Sequence, residues 1–245
     1  MTAPSQARAE ALAQAYRLIE SVQAPDAPLD DVPRLETLAL RHDWPDLHAL
    51  TQWAAVLQAR HRGADAGAPL QAMLASAERR GDPALVALAL STAALSAAVG
   101  DPAAAPQGQH AALTRAVVLL DEVSEFPAHR SAAHIEVALC FHTHGLWELA
   151  GQHYDLADAA WPAEVAPWWL PVARCQRRAI AVNRLDIVTD WSCALAELDH
   201  WDAAAQRADE GLPHAHAVAD ADFPPAWMGE IDGYRCLLAA LAGRA

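Results

Sequence analysis

The stretch SAAHIEVALCFHTHGLWELAGQHYDLADAAWPAE, residues 131–164, decides the fold of this chain. A small residue at a turn lets two antiparallel helices start close together, and an aromatic residue two positions later fills the gap between them. Alanines one heptad apart let the second helix lie close against the first, and a proline ends the unit. Such a hairpin cannot bury its own apolar face, so it implies neighbours stacked on both sides. The residues in this pattern are Gly145, Trp147, Ala150, Tyr154, Ala157 and Pro162.

A second copy of the pattern occupies residues 185–218, where Trp201 and Ala204 repeat the tryptophan and the first alanine. Both residues are expected to pack between helices. The intervening residues 165–184 are expected either to form an extra helix or to extend the next helix into a long rod.

Proline, glycine and aspartate divide the remaining sequence into segments with helical spacing of apolar residues. Asp43 and Asp82, each followed closely by a proline, are expected to cap helix starts, and Gly81 is expected to end a helix. Runs of alternating β-branched residues that would indicate strands are almost absent. We therefore predict an all-α fold with eleven or twelve helices.

The two stretches resemble the tetratricopeptide-repeat (TPR) family, and the resemblance covers the C-terminal half of the chain best. It implies a TPR-like α-solenoid of antiparallel helix hairpins, with residues 1–245 as a single helical-repeat domain. Repeats so rich in Ala, Trp and Arg look like those of actinobacterial regulators, where they precede a GGDEF diguanylate cyclase domain or a LuxR-type DNA-binding domain. Neither a GGDEF motif nor a basic recognition helix occurs in this sequence. The resemblance therefore implies a sensory or docking module, either standing alone or as part of a longer protein.

The chain is acidic, with a formal net charge of −14 at pH 7, and it contains arginine but no lysine. Nucleic acids and anionic membranes are bound through clustered cations, so this charge disfavours both as partners. No apolar run is long enough for a membrane span. The four cysteines form no CxxC pair, and the N-terminus lacks the apolar core of a secretory signal. We expect reduced thiols and a cytoplasmic protein.

Motifs for catalysis and for cofactor binding are missing. The sequence contains no GxSxG elbow, no HExxH helix, no GxGxxG loop and no Walker A loop. His142 and His144 come closest to a metal-binding pair, but residues i and i+2 of a helix point about 200° apart. We therefore predict no catalytic residue, no cofactor and no metal site.

One set of residues on the predicted rod is a candidate partner-binding surface. Its arginines share one helix face, and they are either paired with carboxylates on adjacent helices or available to an anionic or peptide-carboxylate ligand. Two neighbouring indoles at a helix start cannot both face the core, so one of the pair Trp168 and Trp169 is expected at a groove or an interface. The candidate residues are Arg174, Arg177, Arg178, Arg184, Trp191 and Trp168.

The sequence leaves three functions open. The leading hypothesis is a non-catalytic interaction module that binds a peptide, a protein partner or an output domain through a concave groove. The second is a small-molecule sensor that binds an anionic metabolite between helices, and the third is an all-α enzyme. An open concave face would favour the first, a closed pocket the second, and a cleft of ionisable residues with perturbed pKa values the third. Pairing of an Ala-rich terminal helix also predicts a homodimer.

Overall fold

The computed structural model describes residues 3–22, 31–100, 106–122, 124, 126–219 and 225–243. All regular secondary structure in these residues is helical, which confirms the all-α prediction. None of the described helices combines the length and the apolar character that a membrane span requires. The helices are α1 (Ala3–Val22), α2 (Asp31–His42), α3 (Pro45–His61), α4 (Gly67–Arg80), α5 (Pro83–Gly100), α6 (Pro106–Leu119), α7 (Pro127–Thr143), α8 (Trp147–Ala159), α9 (Leu170–Glu197), α10 (Trp201–Ala219) and α11 (Pro225–Leu241).

Glycine and aspartate set the boundary between α4 and α5 as the sequence predicts. Gly81 ends α4 with φ at +72°, a left-handed conformation that glycine adopts without strain. The Asp82 carboxylate then accepts hydrogen bonds from two backbone N–H groups in the first turn of α5. The corresponding prediction for α3 is wrong, because Asp43 itself adopts φ of +50° and Trp44 occupies the N-cap position without a side-chain cap.

Consecutive helices pack as hairpins: α3 with α4, α5 with α6, α7 with α8 and α9 with α10. The stretch that decides the fold is the hairpin of α7 and α8. Gly145 lies in its turn with φ at +70°. Ala150, Tyr154 and Ala157 are fully buried, and they pack in one cluster with apolar residues of α9. The structure thus has the helical-repeat arrangement of an all-α protein.

Residues 165–184 extend the next helix into a rod, since α9 runs for 28 residues without a break. In the second copy of the pattern Ala204 is buried as expected, but the side chain of Trp201 is 59% exposed. The expectation that Trp201 packs between helices is therefore wrong. Its counterpart Trp147 is covered because Trp191 of the long α9 stacks on it, with 5.5 Å between ring centroids. No ring among the described residues stacks on Trp201 in this way.

Helix α1 packs against α2, α3 and α9. The Tyr16 hydroxyl is hydrogen-bonded to Nδ1 of His129 on α7, at 2.7 Å. The Tyr16 ring also meets Trp53 of α3 and Trp169, which precedes α9, edge to face. All four side chains are buried. Through these side chains α1 contacts α3, α7 and the turn before α9.

Candidate functional site

Three of the predicted partner-binding arginines are paired with carboxylates. The interpretation as internal salt bridges to adjacent helices therefore holds for these three. Arg174 is exposed and makes no ion pair with a described residue. The pairs join α9 to α8 and α1: Arg177–Asp158 at 3.0 Å, Arg178–Glu20 at 2.8 Å, and Arg184–Asp155.

The two predicted tryptophans also lie in packed surroundings. Trp191 is covered on one side by Trp147 and on the other by the Arg207 guanidinium, whose carbon lies 3.8 Å from the ring centroid. Trp168 packs against the main core, and its indole nitrogen is buried without a described hydrogen-bond partner. Trp169 is buried, whereas Trp168 is only partly buried, so Trp168 remains the candidate of the pair for a groove or an interface. Both residues precede α9 in a turn and contact the main core.

A cavity of about 790 Å³ lies between α5, α6 and α7. Over their described residues α6 and α8 do not pack against each other, which leaves space between the two hairpins. Its volume falls within the range of small-molecule sites, roughly 300–1,000 Å³. Most of the lining is apolar, and the residues are Ala94, Gln109, His110, Ala111, Leu113, Thr114, Val117, Val118, Cys140, Phe141, His144 and Leu146.

The polar groups of the cavity differ in whether they have partners. The His144 ring is hydrogen-bonded through Nδ1 to the Cys140 carbonyl at 2.7 Å, and the Cys140 thiol donates to the Ser91 carbonyl at 3.4 Å. Burial raises the pKa of Cys140 to about 12, so its sulfur stays a protonated thiol and a poor nucleophile. Nε2 of Gln109 is buried and has no hydrogen-bond partner among the described residues. The cavity can therefore hold a mainly apolar molecule, and the Gln109 amide is an unpartnered polar group of its wall.

The strongly perturbed ionisable groups lie mostly in the core and not at this cavity. Burial raises the pKa of Glu136, and burial followed by the charge of Asp186 raises that of Tyr154. Burial lowers the pKa of His134 to about 3 and also lowers that of His153. Among the described lining residues, Cys140 is the one with a resolved pKa shift. The cavity walls that the structure describes hold no cluster suited to acid–base chemistry.

A candidate metal-binding cluster lies outside the cavity, at the junction of α7 and α9. His142, Asp186 and Asp190 each offer one ligand atom, and these atoms lie within 4.8 Å of one another. From the sequence, His142 is considered as a metal ligand only together with His144, and the two carboxylates are missed. Their spacing was the available signal, because residues i and i+4 share a helix face. The sequence does not show that this face of α9 meets the end of α7.

Known proteins offer no guide to either site. No protein-family model, no curated protein and no solved structure matches this chain. Its function has to be inferred from the geometry of the cavity and of the exposed surface.

Proposed function

We propose that this chain is a non-catalytic helical-repeat protein that binds a mainly apolar small molecule between α5, α6 and α7. One observation carries the proposal: Nε2 of Gln109 is buried without a partner beside a mainly apolar cavity of about 790 Å³. A buried polar group without a partner costs about 1–3 kcal/mol. Rotation of the Gln109 side chain would bring Nε2 into the cavity, where a ligand oxygen that accepts its hydrogen bond would remove this cost while the apolar body of the ligand fills the cavity.

The ligand class differs from the anionic metabolite expected from the arginine face of α9. Three of those arginines already pair with carboxylates, and no arginine lines the cavity over its described residues. A net charge of −14 further disfavours an anion. The best candidates are therefore uncharged molecules with one acceptor group, such as ketones, esters or amides with an alkyl or aromatic body.

The proposal is tested with N-phenyl-1-naphthylamine, an uncharged apolar probe whose fluorescence rises on leaving water. We expect one saturable site per chain. Ala111 is an exposed residue of the cavity wall, so Ala111→Trp places an indole in the opening without disturbing the core. This variant should weaken binding of the probe by at least about ten-fold, since its side chain occupies the space of the ligand.

The matched control is Ala203→Trp, which adds the same indole to an exposed position on α10. It should bind the probe like the wild type. Equal affinity of Ala111→Trp and Ala203→Trp for the probe would show that the cavity is not the binding site.

A protein or peptide partner, as in TPR-like modules, is the second candidate. Leu198 and Trp201 lie close together at the turn between α9 and α10, and their side chains are 68% and 59% exposed. Exposed tryptophans are typical anchors of protein interfaces. Sedimentation velocity at tens of micromolar protein tests whether a second copy of the chain is this partner. A dimer that Trp201→Ala dissociates would support self-association, and a wild-type monomer would contradict it.

A cytoplasmic location belongs to the same proposal. All four cysteines are free thiols, as expected in a reducing compartment, and burial raises the pKa of three of them, Cys140, Cys175 and Cys193. Detection of the protein in an oxidising compartment, with its thiols oxidised, would contradict this location.

A further inference from the structure

Three metal-ligating side chains meet where the last turn of α7 lies beside α9. Asp186 and Asp190 are one turn apart on α9, and His142 faces both of them from α7. Oδ2 of Asp190 lies 2.9 Å from Nε2 of His142, and Oδ2 of Asp186 lies 3.8 Å from Nδ1 of the same ring. The imidazole therefore has a carboxylate near each of its nitrogen atoms.

A neutral imidazole cannot satisfy this arrangement alone. It has one N–H group and one nitrogen lone pair, so it can donate a hydrogen bond to only one of two carboxylates. The other carboxylate then receives no hydrogen bond from the ring. The last carbonyl groups of α7 and the net charge of −14 add negative potential at the same place. A divalent cation would neutralise both carboxylates and accept the ring lone pair.

Tyr154 on α8 supplies a second observation. Its side chain is fully buried, and its hydroxyl has no hydrogen-bond partner among the described residues. Tyr154 packs in one cluster with Ile187, the residue that follows Asp186 on α9. Metal-ligating carboxylates are themselves commonly held by hydrogen-bond donors behind them. The unpartnered Tyr154 hydroxyl is available as such a donor.

We propose that His142, Asp186 and Asp190 bind a divalent transition-metal ion of the Zn²⁺ class. One imidazole nitrogen and two carboxylate oxygens suit this class, with the remaining positions open to water. Bonds of about 2.1 Å in a tetrahedral site place ligand atoms roughly 3.4 Å apart. The 2.9 Å separation between His142 and Asp190 therefore has to open and the wider separations, of up to 4.8 Å, have to close, and the half-exposed Asp190 has room to rotate. The bound ion would join α7 to α9 and fix the junction between two hairpins.

The site is tested by isothermal titration of the metal-free full chain with ZnCl₂, followed by CoCl₂ as a spectroscopic probe. We expect one tight site per chain and visible Co²⁺ bands without the strong absorption of a thiolate ligand. His142→Gln and Asp190→Asn should each weaken Zn²⁺ binding by at least about 100-fold, since each removes a ligand. Zn²⁺ should also raise the melting temperature of the wild type more than that of either variant.

The matched control is His200→Gln, because His200 is an exposed histidine outside the cluster and should leave Zn²⁺ affinity unchanged. Circular dichroism establishes that the variants are folded. Binding retained in both His142→Gln and Asp190→Asn would mean an adventitious ion only and would overturn the proposal, as would a wild type without a saturable site. Titration of the same variants with N-phenyl-1-naphthylamine keeps this result separate from the cavity, which should bind the probe in every case.

Discussion

At the scale of single residues, a pair of histidines inside the core is the feature most open to a direct test. Nδ1 of His134 lies 3.0 Å from Nδ1 of His153, and both side chains are buried. Burial, followed by the neighbouring ring of His153 and by Arg130, lowers the pKa of His134 to about 3. Protonating both rings would bring two positive charges together in a place with little water. The folded state therefore holds His134 neutral.

This pair should make stability fall as the pH is lowered. The unfolded chain binds a proton at His134 below about pH 6.5, whereas the folded chain does so only near pH 3. Its contribution is therefore fully present above pH 6.5 and is lost as the pH falls toward 3. Between pH 7 and pH 5, wild-type unfolding free energy should drop by about 2 kcal/mol more than that of His134→Gln. Urea unfolding at pH 7, 6 and 5 measures the two slopes, and parallel slopes would show that His134 is not held neutral.

Gln109 should decide which ligands the cavity prefers. Gln109→Leu removes the buried amide and leaves a side chain of similar size. The affinity of octan-2-one, measured by its displacement of N-phenyl-1-naphthylamine, should then fall by about five-fold, because the loss of one hydrogen bond costs roughly 1 kcal/mol. Displacement by octane, which has no acceptor, should stay the same or improve. An equal change for both competitors would mean that Gln109 contributes packing and no hydrogen bond.

The sequence predicts some of these residues and not others, for a physical reason. Burial of Ala150, Tyr154 and Ala157 follows from their spacing, because one helix face must pack against the neighbouring helix. The role of Gln109 does not follow, since an amide on a polar helix face is expected in water. The burial of the Gln109 amide depends on how α5, α6 and α7 pack together, and the sequence alone does not show that packing. The meeting of His142 with Asp186 and Asp190 depends on contacts between helices in the same way.

At the scale of helices, the long α9 is the element on which the second half of the chain is built. Helix α10 approaches it most closely at Gly211, which is buried and faces Val188. A Cβ atom added at this glycine would overlap Cγ1 of Val188 and press on Leu238 of α11. Val188 is β-branched and cannot easily rotate away. The absence of a side chain at 211 thus permits the packing of three helices.

Gly211→Ala should therefore destabilise the protein even though alanine favours a helix. We expect a net loss of about 1–3 kcal/mol, because the overlap outweighs the gain in helix propensity. Gly151→Ala is the matched control, since a Cβ atom at this helical glycine of α8 meets open space. It should stabilise by up to about 1 kcal/mol. Thermal unfolding of both variants compares them, and a more stable Gly211→Ala would disprove the close approach.

Helix boundaries were largely predictable, because they depend on local chemistry. Gly81 and Asp82 end one helix and begin the next through their own backbone and side-chain geometry. The sequence does not decide whether residues 165–184 form an extra helix or extend the next helix into a rod. Pro171 lies in the first turn of α9, where proline is tolerated, and no glycine or proline follows before Glu197. The chain turns only at Asp199, which adopts φ of +60°.

At the scale of the whole molecule, α1 connects parts of the chain that are distant in sequence. Its side chains reach α3, α7 and the start of α9, and one core cluster extends from α1 through α7 to the beginning of α9. A second cluster holds α9, α10 and α11 together. The sequence predicts stacked hairpins, but it does not predict these contacts of α1, because α1 shows no diagnostic repeat positions. The cavity lies away from α1, between α5, α6 and α7.

The most direct measurement of the central claim is amide hydrogen–deuterium exchange of the full chain with and without saturating octan-2-one. A ligand in the cavity should slow exchange in α6 and in residues 140–146, which form its walls. Exchange in residues 201–212 of α10 should not change. Slower exchange confined to the surface around Leu198 and Trp201, or no change anywhere at a concentration that displaces the fluorescent probe, would contradict the account.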